Sequence, residues 1–551
     1  MGGRFAVLIG VFLLAYGVLV FKLYDLQITH GAYYQARAAS KELAASFLEA
    51  KRGTVYFVDK NGDRVAVAIN KGFPIVYAVP RDVKKPELTA SILAPLLGDE
   101  QGAILKKLSK SGDQYELLGE KVPAEKAAEI DALKIEGIYV ATEPRRFYPF
   151  DSMASNLLGF VGPTSEGAGR AGHYGIEEFY EKKLAGISGG LVENKYRSPT
   201  AGEDVVLTLD PNIQLQAERV LDGLVKTYEA KGGSIIVQEP ESGKILALTS
   251  RPNFDPNSYH TSGLENFLNP TTQGIYEPGS VFKVFTLVGA LDSGKITPET
   301  TFNDTGTLTM NGRKISNYDY ETHGPRGKST MSNILEYSMN TGAVFVERRM
   351  GRDLFKNYVQ KFGFGEKTGI GLLGEVAGDV RRLSPKEKDI AFATAAYGQG
   401  IAITPLELIN AVSAVANGGT LMRPYVDASL SPSVIRSVVS KDATKKVTEM
   451  MVSAVTKAKV AEISGYAIAG KTGTANVPDF KNGGYTDDVI NTYVGFAPAA
   501  NPRFSVLIKL DEPLGKQLAG VTVVPAFREI AEFALNYYNV PPDRLETATG
   551  L

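Results

Sequence analysis

The sequence predicts an α+β protein that begins with a membrane-spanning helix and continues into two globular parts. Three observations support this fold class. An uncharged apolar run lies near the N-terminus, strand-like alternation follows it, and the remainder places strands first, helices in the middle and strands last. That last order requires the first and the last strands of the C-terminal part to meet in one sheet.

The composition excludes several classes of protein. Charged residues make up 22% of the chain with a formal net charge of −1, whereas a nucleic-acid-binding protein carries a basic excess. The absence of cysteine excludes disulfides, thiolate catalysis and cysteine-ligated metals. The four histidines are scattered without metal-ligand spacing, so no metal or other cofactor is expected. A histidine triad has little support, and catalysis would need another base.

The N-terminal apolar run predicts an uncleaved membrane anchor. Residues 5–21 read FAVLIGVFLLAYGVLVF, and Leu23 and Tyr24 extend the run to a length that spans a bilayer. A cleaved signal peptide has a small-residue cleavage site close behind its apolar region. Here the nearest A-x-A pattern lies at 36–38, so residues 1–24 are assigned to a cytoplasmic tip and a single transmembrane helix.

Residues 25–210 are predicted to form a β-rich domain. The segment RGTVYFVDKNGDRVAVAIN alternates apolar and polar residues around Asn61-Gly62, which is a strong hairpin signal. Helical pieces follow between 85 and 140, namely LTASILAPLL and AEKAAEIDAL, and a strand is expected at 205–209.

Residues 211–545 are predicted to form the second globular part. Asp210-Pro211 open an amphipathic helix, and GSIIVQ and KILALTS read as two strands. Helices are expected from there to about residue 460, one of them opened by Thr404, Pro405 and Glu407 in the pattern of a capping box. Three strand candidates (YAIAGKTGTA, NTYVGFAP, RFSVLIKL) and a helix close the domain, and 546–551 form a tail.

Three short patterns occur in order along this second part: S-x-x-K at 280–283, S-x-N at 338–340 and K-T-G-T at 471–474. Each pattern alone is weak, because K-T-G occurs again at 367–369 and K-S-G at 110–112. Lys110 precedes Ser280 by a whole domain, and Lys367 lies in a glycine-rich loop with no strand in front. Lys471, in contrast, follows an apolar strand, and Ser280 heads the one S-x-x-K of the chain.

The position of Ser280 suits nucleophilic catalysis. It follows Pro278-Gly279 and precedes the helical run VFKVFTLVGAL, and the unpaired N–H groups at a helix start stabilise a developing oxyanion. Lys283 lies on the same helix face, three residues on. A lysine buried near other cations loses its proton easily and can act as a general base. The plain alternative is an ordinary helix start with a solvated lysine.

The three motifs and the segments around them resemble those of a known family, the class B penicillin-binding proteins, which are monofunctional cell-wall transpeptidases. The resemblance extends over nearly the whole chain. It is carried by YEPGSVFKVFTLVGAL, EYSMNTGAVF, AYGQGIAITPLELINAVSAVANGG, IAGKTGTA, RGTVYFVDKNG, RRFYPF and GIEEFYEKKLAG. It implies that 25–210 form an elongated pedestal of the dimerisation type. It also implies that 211–545 form a penicillin-binding domain with a five-stranded antiparallel sheet, flanking helices and a helical subdomain.

The resemblance also implies a role for each motif residue. Ser280 attacks the penultimate D-alanine of a stem peptide that ends in D-Ala-D-Ala, and Lys283 accepts its proton. Ser338 relays a proton to the leaving amine, and Asn340 hydrogen-bonds the substrate backbone. Lys471 adds positive potential. Thr472, Gly473 and Thr474 form the substrate-binding strand, where the two threonines bind the terminal carboxylate and the N–H groups of Ser280 and Thr474 form the oxyanion hole. One departure is Met339, where many relatives have Ser or Cys.

Three other classes of protein would share some of these features. A β-lactamase or β-lactam sensor would share the motifs, but no E-x-x-L-N-type segment follows Ser338, and a bifunctional synthase would need a glycosyltransferase domain. A scaffold that has lost its chemistry is disfavoured by the intact motif residues. The segments SMNTGAVFVERRMG and GIGLLGE resemble the division type more than the elongation type. The expected partners are stem peptides, β-lactams as covalent inhibitors, the membrane and a SEDS-family glycosyltransferase, with the catalytic domain outside the inner membrane.

Overall fold

The computed structural model describes residues 16–20, 22, 50–110, 115–164, 169–192, 195–459, 461–479, 481–515 and 517–544. Most of the predicted anchor and the tail at 546–551 lie outside this part of the chain. Within it, no helix combines the length and the apolar character that a membrane crossing requires. The anchor therefore stays a prediction.

The chain divides into two compact units, each built from separate stretches of sequence. The first unit contains Met1–Thr54, Ala68–Phe147 and Lys182–Glu203, and the second contains Val55–Val67, Tyr148–Glu181 and Asp204–Leu551. The domain boundaries drawn from the sequence remain predictions.

The first unit packs helices against an antiparallel ladder. The strand Arg64–Ala78 pairs through its 69–78 part with Ile138–Phe147 and through its end with Glu116–Gly119. The unit also contains the helices Pro86–Leu97, Gln101–Leu108 and Ala124–Ala132 and the strands Gly190–Val192 and Lys195–Arg197. The apolar positions of the three helices meet buried strand residues in one core, which includes Val76, Leu93, Ile104 and Ile130.

The predicted hairpin at Asn61-Gly62 is present. The strand Val55–Val58 pairs with the start of the next strand, and the Asp59 carboxylate accepts the N–H groups of Asn61 and Asp63 at 2.8 and 2.9 Å. Aspartate favours such turns because its side chain can satisfy turn N–H groups. The same strand pairs in parallel with Val205–Val206.

The second unit is organised around a five-stranded sheet, as expected from the family resemblance. Its strand order is Ile245–Arg251, Gly232–Gln238, Phe504–Asp511, Tyr485–Ala497 and Ala469–Pro478, and every neighbouring pair is antiparallel. The first and last strand groups of the sequence therefore meet in one sheet.

Helices cover this sheet and form much of the remainder of the unit. The helix Pro211–Thr227 begins at Asp210, whose side chain accepts the N–H groups of Asn212 and Ile213, and Pro405–Ala416 has the predicted capping box. The other helices of the unit are Ser155–Leu158, Gly175–Phe179, Pro270–Gln273, Lys283–Asp292, Tyr320–His323, Met331–Glu336, Asn340–Met350, Arg352–Lys361, Asp389–Ala395, Lys441–Ala458 and Val523–Tyr537.

Helices dominate up to residue 460 as expected, but they are not the only regular elements of this segment. Short strands also lie there, namely Thr301–Asp304, Thr307–Met310, Arg313–Ser316, Gly327–Thr330, Thr420–Met422 and Val434–Ser437. Each has only three or four residues, which is too short for a period-two pattern to be recognised. Two further strands pair at Phe160–Pro163 and Arg170–His173.

Candidate active site

Ser280 lies in a tight turn that leads into a buried helix. A 3₁₀ turn at Gly279–Phe282 precedes the helix Lys283–Asp292, so the serine lies at a helix start as predicted. Gly279 has φ +58°, and a Cβ there would lie 3.1 Å from the Thr474 carbonyl oxygen. Glycine thus allows the turn to approach the edge strand closely.

The side chain of Lys283 connects Ser280 with Ser338. Its Nζ lies 2.8 Å from Ser280 Oγ, 2.5 Å from the Ser338 carbonyl oxygen and 3.2 Å from Ser338 Oγ. Lys283 is fully buried, and this desolvation, with the nearby charge of Lys471, holds the pKa of its ammonium group well below the ordinary lysine value. A neutral amine next to a serine hydroxyl can accept its proton.

Lys471 reaches Ser338 from the edge strand of the sheet, Ala469–Pro478. Its Nζ donates to Ser338 Oγ at 3.1 Å and to the Thr472 carbonyl and hydroxyl oxygens at 2.9 and 3.2 Å. Burial lowers the pKa of Lys471 to about 7. Ser338 itself has φ +54°, a conformation that non-glycine residues adopt rarely and often at functional sites.

Asn340 begins the helix Asn340–Met350 and faces the same cleft. Its Nδ2 donates to the Ser316 carbonyl oxygen at 2.8 Å, which leaves Oδ1 as a hydrogen-bond acceptor. The adjacent helix start is fixed by a buried network in which Thr341 donates through its N–H to Asn317 and through its hydroxyl to Asp304. Asn340 is therefore oriented by contacts that only the folded chain provides.

The strand Ala469–Pro478 carries the third motif inside the strand, rather than directly after one as expected from the sequence. Thr474 Oγ1 lies 3.1 Å from Asn491 Oδ1 on the neighbouring strand and accepts the Ala519 N–H at 3.3 Å. At Gly473 an added Cβ would lie 2.6 Å from the Pro278 carbonyl oxygen. This strand and the serine turn are in direct contact at that point.

These residues line one cleft of about 590 Å³. Of the predicted site residues, the lining includes Ser280, Ser338, Asn340, Lys471, Thr472 and Thr474. Lys283 lies buried beneath Ser280, and Gly473 lies within the strand, against the turn that presents Ser280. The cleft also contains residues to which the sequence analysis gave no individual role, including Tyr318, Tyr397, Gln399, Asn476 and Leu518. The glycines that flank Gln399 in AYGQG are the one local signal for such a loop.

The second K-T-G lies elsewhere in the fold. Thr368 donates through its N–H to Glu375 at 2.7 Å, and Gly369 does so at 3.2 Å. Lys367 is exposed in a loop and is not among the described residues that line the cleft. The second K-T-G is therefore part of a structural turn that the Glu375 carboxylate stabilises.

A serine hydroxyl at a helix start, beside a buried lysine whose pKa is lowered, is the arrangement of a serine acyltransferase. Comparison with known proteins identifies the family. A model described as the penicillin binding protein transpeptidase domain matches residues 233–532, and one described as the penicillin-binding protein dimerisation domain matches residues 47–203.

Individual relatives agree with the family models. Stage V sporulation protein D of Bacillus subtilis (strain 168) is 32% identical over 573 residues, which cover 97% of this chain and 86% of that protein. Peptidoglycan D,D-transpeptidase FtsI of Escherichia coli (strain K12) is 28% identical over 577 residues, with 99% and 93% covered. The crystal structure of Penicillin Binding Protein 2X from Streptococcus thermophilus shares the fold, with a TM-score of 0.73 at 22% identity over 90% of this chain and 81% of that one. The chain belongs to the penicillin-binding proteins with a transpeptidase domain, and the family predicted from the sequence is confirmed.

Proposed function

We propose that this protein is a peptidoglycan D,D-transpeptidase that crosslinks stem peptides through an acyl-enzyme on Ser280. The observation that carries the proposal is the 2.8 Å contact between Lys283 Nζ and Ser280 Oγ, made by a lysine whose pKa is strongly lowered. Membership of the transpeptidase family supports the same reaction.

In the first half-reaction, Lys283 accepts the Ser280 proton while Oγ attacks the carbonyl carbon of the penultimate D-alanine. The tetrahedral oxyanion is stabilised by the N–H groups of Ser280 and Thr474. The C–N bond then breaks, and the leaving amine of the terminal D-alanine takes a proton delivered through Ser338, which contacts both lysines. Thr472 and Thr474 bind the terminal carboxylate, and Asn340 Oδ1 accepts a substrate N–H.

In the second half-reaction, the amino group of another stem peptide attacks the ester. The ester C–O bond breaks, an amide forms, and Ser280 recovers its proton from the network. β-Lactams use the first half-reaction only, because their ring opens without releasing a leaving group from the cleft.

The test is to incubate the full-length protein with fluorescent penicillin and to locate the adduct by peptide mass spectrometry. We expect a single adduct on Ser280, and Ser280→Ala should lose all labelling while keeping its circular dichroism spectrum and melting temperature. Labelling that persists in Ser280→Ala would overturn the assignment of the nucleophile.

We also propose that residues 5–24 anchor the protein in the inner membrane, with the catalytic unit outside the cytoplasm, where a SEDS-family glycosyltransferase is the expected partner. Support comes from the apolar run and from the location of the substrate outside the membrane. N-terminal sequencing of membrane-extracted protein should find the first residues; a start near Ala39 would contradict the anchor. Exchanging residues 5–24 for an unrelated apolar anchor should preserve labelling, and loss of wall synthesis in that variant would indicate partner recognition by the helix.

A role in septal synthesis is proposed over the elongation-type alternative, from the resemblance of SMNTGAVFVERRMG and GIGLLGE to the division type. One relative is named for stage V of sporulation, so spore-wall synthesis is a second candidate. Depletion in growing cells separates the three roles: filaments indicate division, rounded cells indicate elongation, and unaffected growth with defective spores indicates sporulation.

A further inference from the structure

Glu277 lies three residues before Ser280, and its carboxylate connects parts of the chain that are far apart in sequence. The residue is only 9% exposed. One oxygen, Oε1, accepts the Gly400 N–H at 2.9 Å, and both oxygens lie near the Tyr485 hydroxyl, at 3.1 and 3.0 Å. These contacts link three segments: the turn that presents Ser280, the stretch 397–400 and the strand that begins at Tyr485.

The first segment held by Glu277 is a wall of the cleft. Gly400 ends the stretch 397–400, in which Tyr397 and Gln399 line the cleft. The Gly398 carbonyl oxygen accepts the Gly279 N–H at 3.1 Å, and a Cβ on Gly398 would lie 2.2 Å from the Gly279 carbonyl oxygen. This wall therefore packs directly on the turn that presents Ser280.

The second segment is the strand Tyr485–Ala497, which pairs with the edge strand Ala469–Pro478. Tyr485 begins the strand Tyr485–Ala497 and pairs in register with Pro478, at the end of the strand that carries Lys471. Asn476, two residues before Pro478, lines the cleft. Through the Tyr485 hydroxyl, Glu277 thus holds the outer end of the strand pair next to the nucleophile turn.

From these contacts we infer that Glu277 is a positioning residue that fixes the distance between the 397–400 wall and the edge strand around Ser280. Glu277 does not line the cleft, so it acts through Gly400 and Tyr485 rather than by touching the substrate. The inference rests on the proposed acylation of Ser280, because the geometry that Glu277 maintains is that of the acyl donor. Displacement of reacting groups by about 1 Å lowers a rate by about 100-fold.

Substitutions of Glu277 can distinguish a positioning role, which needs its two hydrogen bonds, from a role that needs its negative charge. In Glu277→Gln the amide oxygen can accept the Gly400 N–H while the amide nitrogen donates to the Tyr485 oxygen, so both contacts persist without a charge. Glu277→Ala loses both contacts, and Tyr485→Phe loses only the contact with the strand Tyr485–Ala497. The structure therefore predicts an order of effects: Gln close to the parent, Phe intermediate and Ala largest.

The experiment measures acylation of the full-length protein by fluorescent penicillin over a range of concentrations. This separates the dissociation constant of the pre-covalent complex from the first-order acylation rate constant, and melting temperatures are recorded in parallel. Glu407→Ala is the matched control. Glu407 is also a buried glutamate that accepts glycine N–H groups, those of Gly365 and Gly378, each at 3.0 Å, yet it is not among the described residues that line the cleft.

We expect Glu277→Ala to lower the acylation rate constant by about 10-fold to 100-fold, Tyr485→Phe to lower it less, and Glu277→Gln to stay within about twofold of the parent. Glu407→Ala should melt earlier and acylate at the parental rate at a temperature where it is folded. Parental acylation by Glu277→Ala would overturn the inference, and so would an equal loss in Glu277→Gln or in Glu407→Ala. Failure of the parent itself to label would instead overturn the proposed function.

Discussion

The ammonium groups of Lys283 and Lys471 contact the same hydroxyl: Ser338 Oγ lies 3.2 Å from the first and 3.1 Å from the second. Two charges so close together, both shielded from water, cannot both be maintained at low cost. The pKa values of both lysines are lowered accordingly. Lys283 is fully buried and its Nζ lies 2.8 Å from Ser280 Oγ, so it is the lysine placed to act as the base for Ser280.

Replacing Lys283 should therefore abolish acylation without removing the nucleophile. Lys283→Met removes the base, and Lys283→Arg keeps a cation that cannot give up its proton. Both should acylate about 100-fold to 10,000-fold more slowly than the parent. In the parent, the rate should rise with pH as the lysine loses its proton, and stopped-flow labelling across pH measures this. Parental rates in the arginine variant would show that the base lies elsewhere.

The stability of the protein should depend on pH through Lys471. Its pKa is 10.5 when unperturbed and about 7 in the folded protein, so between these values the unfolded chain binds more protons. The free energy of unfolding should then rise with pH across this window, and below pH 7 the burial of this lysine should cost on the order of a few kcal/mol. Lys471→Met removes the part of this dependence that Lys471 contributes and leaves the part due to the lowered pKa of Lys283, whereas exposed Lys367→Met keeps both parts. Denaturant unfolding between pH 7 and 10 measures the difference; parallel curves for parent and Lys471→Met would contradict the prediction.

The two K-T-G motifs should differ sharply in function. Lys471→Ala removes a buried side chain that contacts Ser338, and it should abolish labelling. Lys367→Ala removes an exposed loop side chain and should leave labelling within about twofold of the parent, since surface substitutions are usually near neutral. Gel-based penicillin labelling of both variants is sufficient. Equal loss in the two would mean that the loop at 367–369 contributes to the cleft.

Gly473 should not tolerate a side chain. A Cβ would lie 2.6 Å from the Pro278 carbonyl oxygen and 3.0 Å from Val281, so Gly473→Ala must push the edge strand away from the serine turn. We expect acylation to fall at least 10-fold. Gly223→Ala is the matched control, because a Cβ there meets open space in a helix; it should leave labelling unchanged and raise stability by up to about 1 kcal/mol. Normal labelling of Gly473→Ala would show that the strand can shift freely.

Local features of this fold could be predicted from the sequence, and so could the meeting of the first and last strands in one sheet, but individual contacts between distant residues could not. The capping box of Thr404 and Glu407 and the Ser280–Lys283 contact depend on residues three apart, and both are present. The contact between Glu277 and Tyr485 joins residues 208 positions apart, and the parallel pairing of Val55 with Val205 also joins residues that are remote in sequence. Periodicity describes which face of an element is apolar, but it does not specify the partner of that face. Motif order and family resemblance supplied what periodicity could not.

The acyl-enzyme formed with penicillin should be long-lived. A β-lactamase hydrolyses its acyl-enzyme with a water that is positioned by a carboxylate. Among the described residues that line the cleft, the one carboxylate is that of Glu336, and it is already engaged by the Ser453 hydroxyl at 2.6 Å and by Lys457 Nζ at 3.0 Å. These bonds lower the pKa of Glu336 against the effect of burial, which makes the carboxylate a weak base. Release of labelled penicilloate should therefore take hours, and Glu336→Gln should leave its rate unchanged. Rapid multiple turnover by the parent would identify a hydrolase, and slower release from Glu336→Gln would identify Glu336 as the residue that activates water.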